Sequence, residues 1–439
     1  MKIAVIGGGI SGLSTAFYLK RFSPSNDITL YEAEDQLGGK LKTIDKFGFS
    51  IELTNSVFSE KSIFINELIK DAGLLHHVSK VSDSSKIKYF FDKGVLHTIP
   101  LNKSEMFQTN SMGLFGKISA FADFVRPRKK SIADESLHGL LNRRLGKSAA
   151  VIIGDLLATS FFASTADRLS AKAAFPWIEN AEKTKGKILG DIFEELSKLE
   201  TLTTFKNGSS AFVRELSSAF SFNKKVGVEV GKIRKVGSKW LVESNDGESE
   251  FDKVVLCTPS FVSSRLIKEE DETISELLKN IEYSPLAVVS LAYESLPHEM
   301  DGFGIINSRR SNTQALGIIW DSSLSKQCAP EGKKLLRVII GGQRQPFLAL
   351  KQEEELLNIA TGAIAESMGV YEEPMLNHIT RWHKAVPNYD IGHTALATDI
   401  SDRAEGLKGL YLNSSALSGI SIDDCVKNSK ETALKIISE

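Results

Sequence analysis

The chain has 439 residues, 42% hydrophobic and 25% charged, enough to bury several cores and to form two or three domains. Lys and Arg number 54 against 55 Asp and Glu, a formal net charge of -1, which excludes a global field that would gather nucleic acid or anionic lipid. Its cysteines, Cys257, Cys328 and Cys425, lie far apart without metal-ligand spacing, which argues against a disulfide framework and for a reducing compartment.

At the N-terminus, MKIAVIGGGISG ends its apolar run in glycines too early for a signal-peptide core, and the first predicted element starts at Lys2. KIAVIGGG predicts a strand running into a glycine turn. SGLSTAFYLKRF spaces Leu13, Ala16, Phe17 and Leu19 at helical intervals, and DITLYEA predicts a second strand, so residues 2 to 33 predict a βαβ unit. After Lys61, SIFINELIKDAGL predicts an amphipathic helix stopped by Gly73. IKYFFDKGVLHTIP predicts a hairpin that turns at Asp92-Lys93-Gly94.

Residues 101 to 200 predict a helical insertion with one basic run, RPRKK, from Arg126 to Lys130. The most apolar window, AAVIIGDLLATSFFAS from Ala149, is broken by Asp155, and no window approaches the roughly 20 uncharged residues of a spanning helix. VGVEVGKIRKV, KWLVESND and KVVLCTP predict a meander whose last member is an apolar run ending at Thr258-Pro259. From Ser284 to Pro387, strands LAVVSLAY, ALGIIWD and LLRVIIGG alternate with one long helix, QEEELLNIATGAIAESMG, an α+β pattern. GLYLNSS and DDCVKNSKETALKIISE predict a last strand and a closing helix.

The glycines Gly7, Gly9 and Gly12 form GxGxxG between strand and helix, with Ile10 and Ser11 inside the motif. The first permits a tight turn, the second lets a pyrophosphate approach the backbone, and the third lets the helix pack on the strand with its N-terminus toward the phosphates. Glu32, followed by Ala33, ends the second strand where a carboxylate can take the hydroxyls of an adenosine ribose. NAD and FAD both use such a unit. EAEDQLGGKLKT then places Gly38-Gly39-Lys40 soon after the acid, a glycine pair with a basic residue able to approach phosphates. This arrangement is similar to the glutathione reductase-like flavoproteins, in which a C-terminal strand and helix return to cover the flavin. GLYLNSSALSGISIDDCV stands where that segment belongs, which favours FAD over NAD.

Further along, LGIIWDSSLSKQCAPEGKKLLRVIIGG, RWHKAVPNYDIGH and SGISIDDCV resemble the protoporphyrinogen oxidase family, within the wider monoamine oxidase superfamily. LNRRLGK, ADRLSAKAAFP and TFKNGSSAFVREL also resemble it, so the likeness runs the length of the chain. The resemblance implies an α/β plus α+β fold: a Rossmann-like FAD-binding domain assembled from separated segments, a mixed-sheet substrate domain and a helical insertion. The expected boundaries are 1–75, 201–283 and 390–439 for the FAD domain, 76–100 and 284–389 for the substrate domain, and 101–200 for the helical, membrane-associating one. It further implies that Val230 contacts adenine through its backbone and Thr258 borders the cofactor. Trp382 would lie near the flavin, and Ser415 with Ile420, Ser421 and Ile422 would cap the pyrophosphate and isoalloxazine, helped by the helix dipole.

The implied reaction removes six electrons from a porphyrinogen, protoporphyrinogen IX or coproporphyrinogen III, in three flavin turnovers, commonly with oxygen as acceptor. Chemistry resides on non-covalent FAD, so the catalytic side chains stay unassigned and no metal is expected. Lys88 is the expected anchor for the substrate propionates. A cytoplasmic protein is expected, without nucleic acid as partner, with a homodimer left open. In SMGLFGKISAFADFVRPRKK, residues Met112, Leu114, Phe115, Ile118, Phe121 and Phe124 give an apolar face beside the basic run, an expected peripheral contact with the inner face of a membrane.

Three stretches depart from the family pattern. Relatives usually follow the second glycine pair with an acid and Gly-Pro; here Glu52-Leu53 lead into Thr54, Asn55, Ser56 and Val57, expected to run beneath the isoalloxazine. Asn413-Ser414 replaces Ala-Gly beside the phosphates, and FFASTAD replaces an Ala-Gly-Asp stretch. The alternatives are a diverged member that binds FAD or a tetrapyrrole with little turnover, and an amine-type flavin oxidase.

Overall fold

Five parallel strands carry the N-terminal glycines, in the spatial order Asn223–Val226, Asp27–Glu32, Lys2–Ile6, Lys253–Leu256 and Leu410–Leu412. The structure is a computed structural model that describes residues 1–108, 113–127 and 133–439. Both faces of this sheet are covered, as parallel sheets require. Ile3, Val5 and Val255 face a core shared with Leu13 and Phe17 of the first helix, Ile10–Phe22, and with Val426 and Ile436 of the closing helix, Ile422–Ser438. Ala4, Ile6, Val254 and Leu256 face the opposite core, roofed by a three-stranded antiparallel sheet and by helices Ser260–Ile267, Glu272–Lys279 and His393–Glu405.

The expected meander is therefore corrected. Only Val230–Val236, Lys239–Ser244 and Gly247–Phe251 pair antiparallel, whereas Lys253–Leu256 pairs parallel with the first strand and with Leu410–Leu412. The physical reason is its composition: a run apolar at every position suits a strand buried on both faces. The helix His393–Glu405 has no counterpart among the predicted elements.

A second sheet has seven strands, in the order Leu376–Pro387, Tyr283–Tyr293, Lys334–Gly341, Ala315–Ile319, Gly304–Asn307, Tyr89–Asp92 and Val95–Thr98. Its pairs are antiparallel except for Gly304–Asn307 with Tyr89–Asp92. The hairpin at its edge turns through Lys93 and Gly94 at φ 51° and 78°, the paired positive φ values of a type I′ turn. Helix Glu353–Met368 buries one sheet face.

Helices between Lys103 and Ser197 enclose a separate apolar core around Leu140, Ile153, Leu157 and Ile192. Asp155, which interrupts the apolar run of helix Lys147–Phe162, is 4% exposed and accepts from Arg309 Nε at 2.7 Å and Arg309 N at 2.9 Å. That bond fastens the helical region to the second sheet. Among the described residues no helix is long and apolar enough to cross a membrane.

Candidate cofactor and substrate site

The site grows from the glycine turn after Lys2–Ile6. A Cβ on Gly12 would lie 1.8 Å from Gly7 O, so only glycine lets the first helix start against that turn. A Cβ on Gly9 would meet nothing nearer than 4.0 Å, where Gly38 O and Gly39 Cα stand. Gly9 thus offers bare backbone to an open cradle bounded by the second glycine pair. Gly38 N donates to Gly8 O at 2.8 Å, which closes the two loops on one another. Such a cradle fits a diphosphate. Ile10 and Ser11 begin the helix behind it.

Glu32 stands beside this cradle at the end of its strand. Its carboxylate accepts from Gly8 N at 2.7 Å and from Glu34 N at 2.9 Å, which fixes its orientation while each oxygen keeps a free lone pair. Ala33 is exposed next to it, and Val228 N donates to Glu32 O at 2.8 Å, bringing the segment that leads into buried Val230 alongside. Lys40 takes a different course from the one expected. Its ammonium donates to Ala385 O rather than standing free for phosphates, and burial depresses its pKa to about 8.

The departing stretch after Glu52 is tied down on both sides. The Glu52 carboxylate accepts from Ser209 N at 2.8 Å, Ser209 Oγ at 2.6 Å and Thr43 Oγ1 at 2.9 Å, and burial raises its pKa. Leu53 N donates to Lys42 O and Thr54 Oγ1 to Lys40 O, both at 2.9 Å. From the other side Trp382 Nε1 donates to Leu53 O at 3.2 Å, and Arg337 Nη1 to Glu52 O at 3.2 Å and to Thr54 O. Asn55 is exposed, Ser56 is buried, and Val57 opens a short strand paired with Leu202–Phe205. Thr258 is buried, its hydroxyl 2.8 Å from that of Ser263.

At the closing segment, Ser415 O accepts from Tyr389 OH at 2.7 Å. Ser421 is the N-cap of the closing helix, in a capping box with Asp424. Ile420 packs on the helical-region core and Ile422 on the core beneath the parallel sheet. The first turn of this helix carries two carboxylates, so its dipole is partly met from within: Asp424 bonds back to Ser421, while Asp423 accepts from Ile65 N at 2.8 Å. Asn413, expected beside the phosphates, turns its amide inward between the first and closing helices.

Lys88, the expected propionate anchor, is enclosed. It is 6% exposed, its ammonium donates to Ser85 O at 3.0 Å and Lys86 O at 3.2 Å and lies over the Phe303 ring, and burial lowers its pKa to about 8. Arg337 is not among the expected site residues, although a charge inside the apolar run LLRVIIGG is a signal for it. On the expected membrane face, Leu114 is 70% and Phe115 87% exposed, with Ile118 and Phe124 also exposed and Phe121 half-buried. Met112 and Arg128 to Lys130 lie outside the described residues.

The family model described as flavin containing amine oxidoreductase matches residues 10–437. Coproporphyrinogen III oxidase of Bacillus subtilis (strain 168) is 28% identical, with 98% of this chain and 96% of the relative covered. A chloroplastic protoporphyrinogen oxidase of Nicotiana tabacum is 24% identical over 99% of this chain and 85% of its own. A crystal structure named after the protoporphyrinogen oxidases, from Exiguobacterium sp. 255-15, superposes with a TM-score of 0.85 at 22% identity, covering 100% of this chain and 99% of the other. Reduced UDP-galactopyranose mutase reaches 0.77 at 15% identity, covering 100% and 94%. Structural likeness therefore gives the fold and does not select a substrate.

Proposed function

Because the chain belongs to the flavin containing amine oxidoreductase family, we propose that it is an FAD-dependent oxidase that dehydrogenates a porphyrinogen, coproporphyrinogen III or protoporphyrinogen IX, to the porphyrin in haem biosynthesis. The observation that carries this reading is the sequence likeness over nearly the whole chain to relatives named for those two oxidations, where the shared fold alone would fit many substrates.

In this reading Gly7 to Gly12 and Gly38-Gly39 hold the pyrophosphate, Glu32 the adenosine ribose, Val230 the adenine, and Thr258, Ser415 and Ile420 to Ile422 border the rest of a non-covalent FAD. When bound, the FAD supplies the two-electron acceptor for each dehydrogenation, with oxygen as final acceptor. The protein's own work is to fix the dinucleotide at the cradle, to hold the Leu53 to Val57 stretch beneath the ring, and to exclude water. The three-region division given above, with the substrate on the seven-stranded sheet, is part of the same reading.

The test uses the purified protein. A flavin absorption band, FAD released intact by denaturation, and porphyrin fluorescence rising faster than the spontaneous rate after aerobic addition of either porphyrinogen are expected. A protein that takes up no FAD overturns the reading; one that binds FAD without turnover supports the diverged-member alternative.

A second reading concerns the exposed Leu114, Phe115, Ile118 and Val125, which together suit shallow insertion into a lipid surface. Flotation with anionic liposomes at low salt is expected to carry the protein upward, and loss of that flotation in Phe115→Ser is expected. Absence of flotation at low salt removes the membrane contact.

A further inference from the structure

Three successive carbonyls, those of Glu52, Leu53 and Thr54, are each met by a side chain from the seven-stranded sheet. Arg337 takes the outer two and Trp382 the middle one. Arg337 lies on Lys334–Gly341 and Trp382 on Leu376–Pro387, the two strands that flank Tyr283–Tyr293. Register places them apart along that strand, Arg337 opposite Ser290 and Trp382 opposite Leu286.

Arg337 is 1% exposed, and the rest of its guanidinium is held by Asp321: Nε stands 2.8 and 3.0 Å from the two carboxylate oxygens and Nη2 2.6 Å from one of them. A buried ion pair is a poor device for stability, since an apolar pair of the same volume commonly does as well. The planar fork does something an apolar pair does not. With one edge fixed on Asp321, its remaining nitrogen is aimed at two carbonyls of one turn.

Peptide planarity supplies the consequence. A carbonyl turned toward the sheet turns the next amide away from it. The amides of Leu53, Thr54 and Asn55 therefore face the side of the glycine loops; Leu53 N is bonded there to Lys42 O, and the Thr54 hydroxyl to Lys40 O. We propose that Arg337, fixed by Asp321 and assisted by Trp382, is a positioning residue that aims the Thr54 and Asn55 amides at the flavin ring. The proposal rests on the flavin reading of the site.

The experiment compares two ligands on apoprotein. FAD carries the ring, and ADP shares its diphosphate and adenosine without the ring. Arg337→Met is expected to weaken FAD about tenfold or more, the loss that follows removal of charged hydrogen bonds to a turn, while ADP binding stays within about twofold. The absorption band of the bound flavin is expected to shift as well, and Arg337→Lys to recover part of the FAD affinity. Trp382→Phe, which removes one donor and keeps the ring packing, is expected to show the same FAD-selective loss at smaller size, and it decides the matter if Arg337→Met does not fold. Equal weakening of FAD and ADP, or unchanged FAD binding with an unshifted band, overturns the proposal. Wild-type protein that binds ADP but no FAD instead overturns the flavin reading itself.

Discussion

Asn413 Nδ2 donates to Thr15 Oγ1 at 2.9 Å, joining positions 398 residues apart. The same amide nitrogen reaches Ser429 Oγ at 2.9 Å, and Ser429 Oγ donates in turn to Ser11 O at 2.9 Å. One buried amide thus locks the last strand, the first helix and the closing helix together behind the glycine cradle. Asn413→Ala is expected to cost about 1–3 kcal/mol, because two buried hydroxyl oxygens lose their donor, and to lower Tm by about 1–3 °C. FAD affinity is expected to hold within about threefold, since the amide lies between helices. A large loss of FAD affinity at unchanged Tm would place the side chain against the phosphates instead.

The two glycines of the cradle separate folding from binding. Gly9 has φ -72° and ψ -176°, values that alanine adopts freely, and its missing Cβ points to open space. Gly9→Ala is expected to leave apoprotein stability within about 0.5 kcal/mol while weakening FAD about tenfold or more, because the methyl occupies the path proposed for the pyrophosphate. Gly12→Ala drives a methyl into Gly7 O and is expected to destabilise the apoprotein by about 3 kcal/mol. Paired denaturation and FAD titration curves check both, and unchanged FAD binding in Gly9→Ala removes the pyrophosphate from the cradle.

Local rules made the first part of this site legible. The strand, the glycine turn and the helix follow from residues within about one turn of each other, and so does the hairpin at Lys93-Gly94. What the sequence hid depends on distant partners. Trp382 meets Leu53 across 329 residues and Arg337 meets Glu52 across 285, so neither bond leaves a local pattern. The enclosure of Lys88 is hidden for the same reason: alternation along a strand does not say whether tertiary packing will close over a given position. Lys253–Leu256 read as one more strand of a meander because its partner Leu410–Leu412 arrives only near the end of the chain.

The helix Ile63–Asp71 is capped by a residue outside its own segment. Its N-cap, Ser62, makes no side-chain cap bond, whereas the Asp423 carboxylate accepts from Ile65 N at 2.8 Å. Asp423→Ala is therefore expected to cost about 1 kcal/mol, the usual loss for a helix cap, and Ser62→Ala to cost close to nothing. Urea denaturation of the two variants checks the contrast. Equal effects would assign the cap to Ser62.

Lys88 gives a dependence on pH whose sign follows from its burial. Its pKa is lowered to about 8, chiefly by burial and against the opposing pull of Glu200, whereas an unfolded lysine titrates near 10.4. Between those values the unfolded chain binds the extra proton, so this group makes the wild-type protein more stable as pH rises from about 8 toward 10. Below pH 8 both states are protonated and its cost is complete and constant. Lys88→Met removes the titration, and its loss of the bonds to Ser85 O and Lys86 O is the same at every pH. The stability of Lys88→Met relative to wild type is therefore expected to fall by about 2–3 kcal/mol between pH 7 and pH 10. Denaturant unfolding across that range reads the slope directly; a difference that stays flat with pH would mean the ammonium is solvated, and would reopen Lys88 as a group available to an anionic ligand.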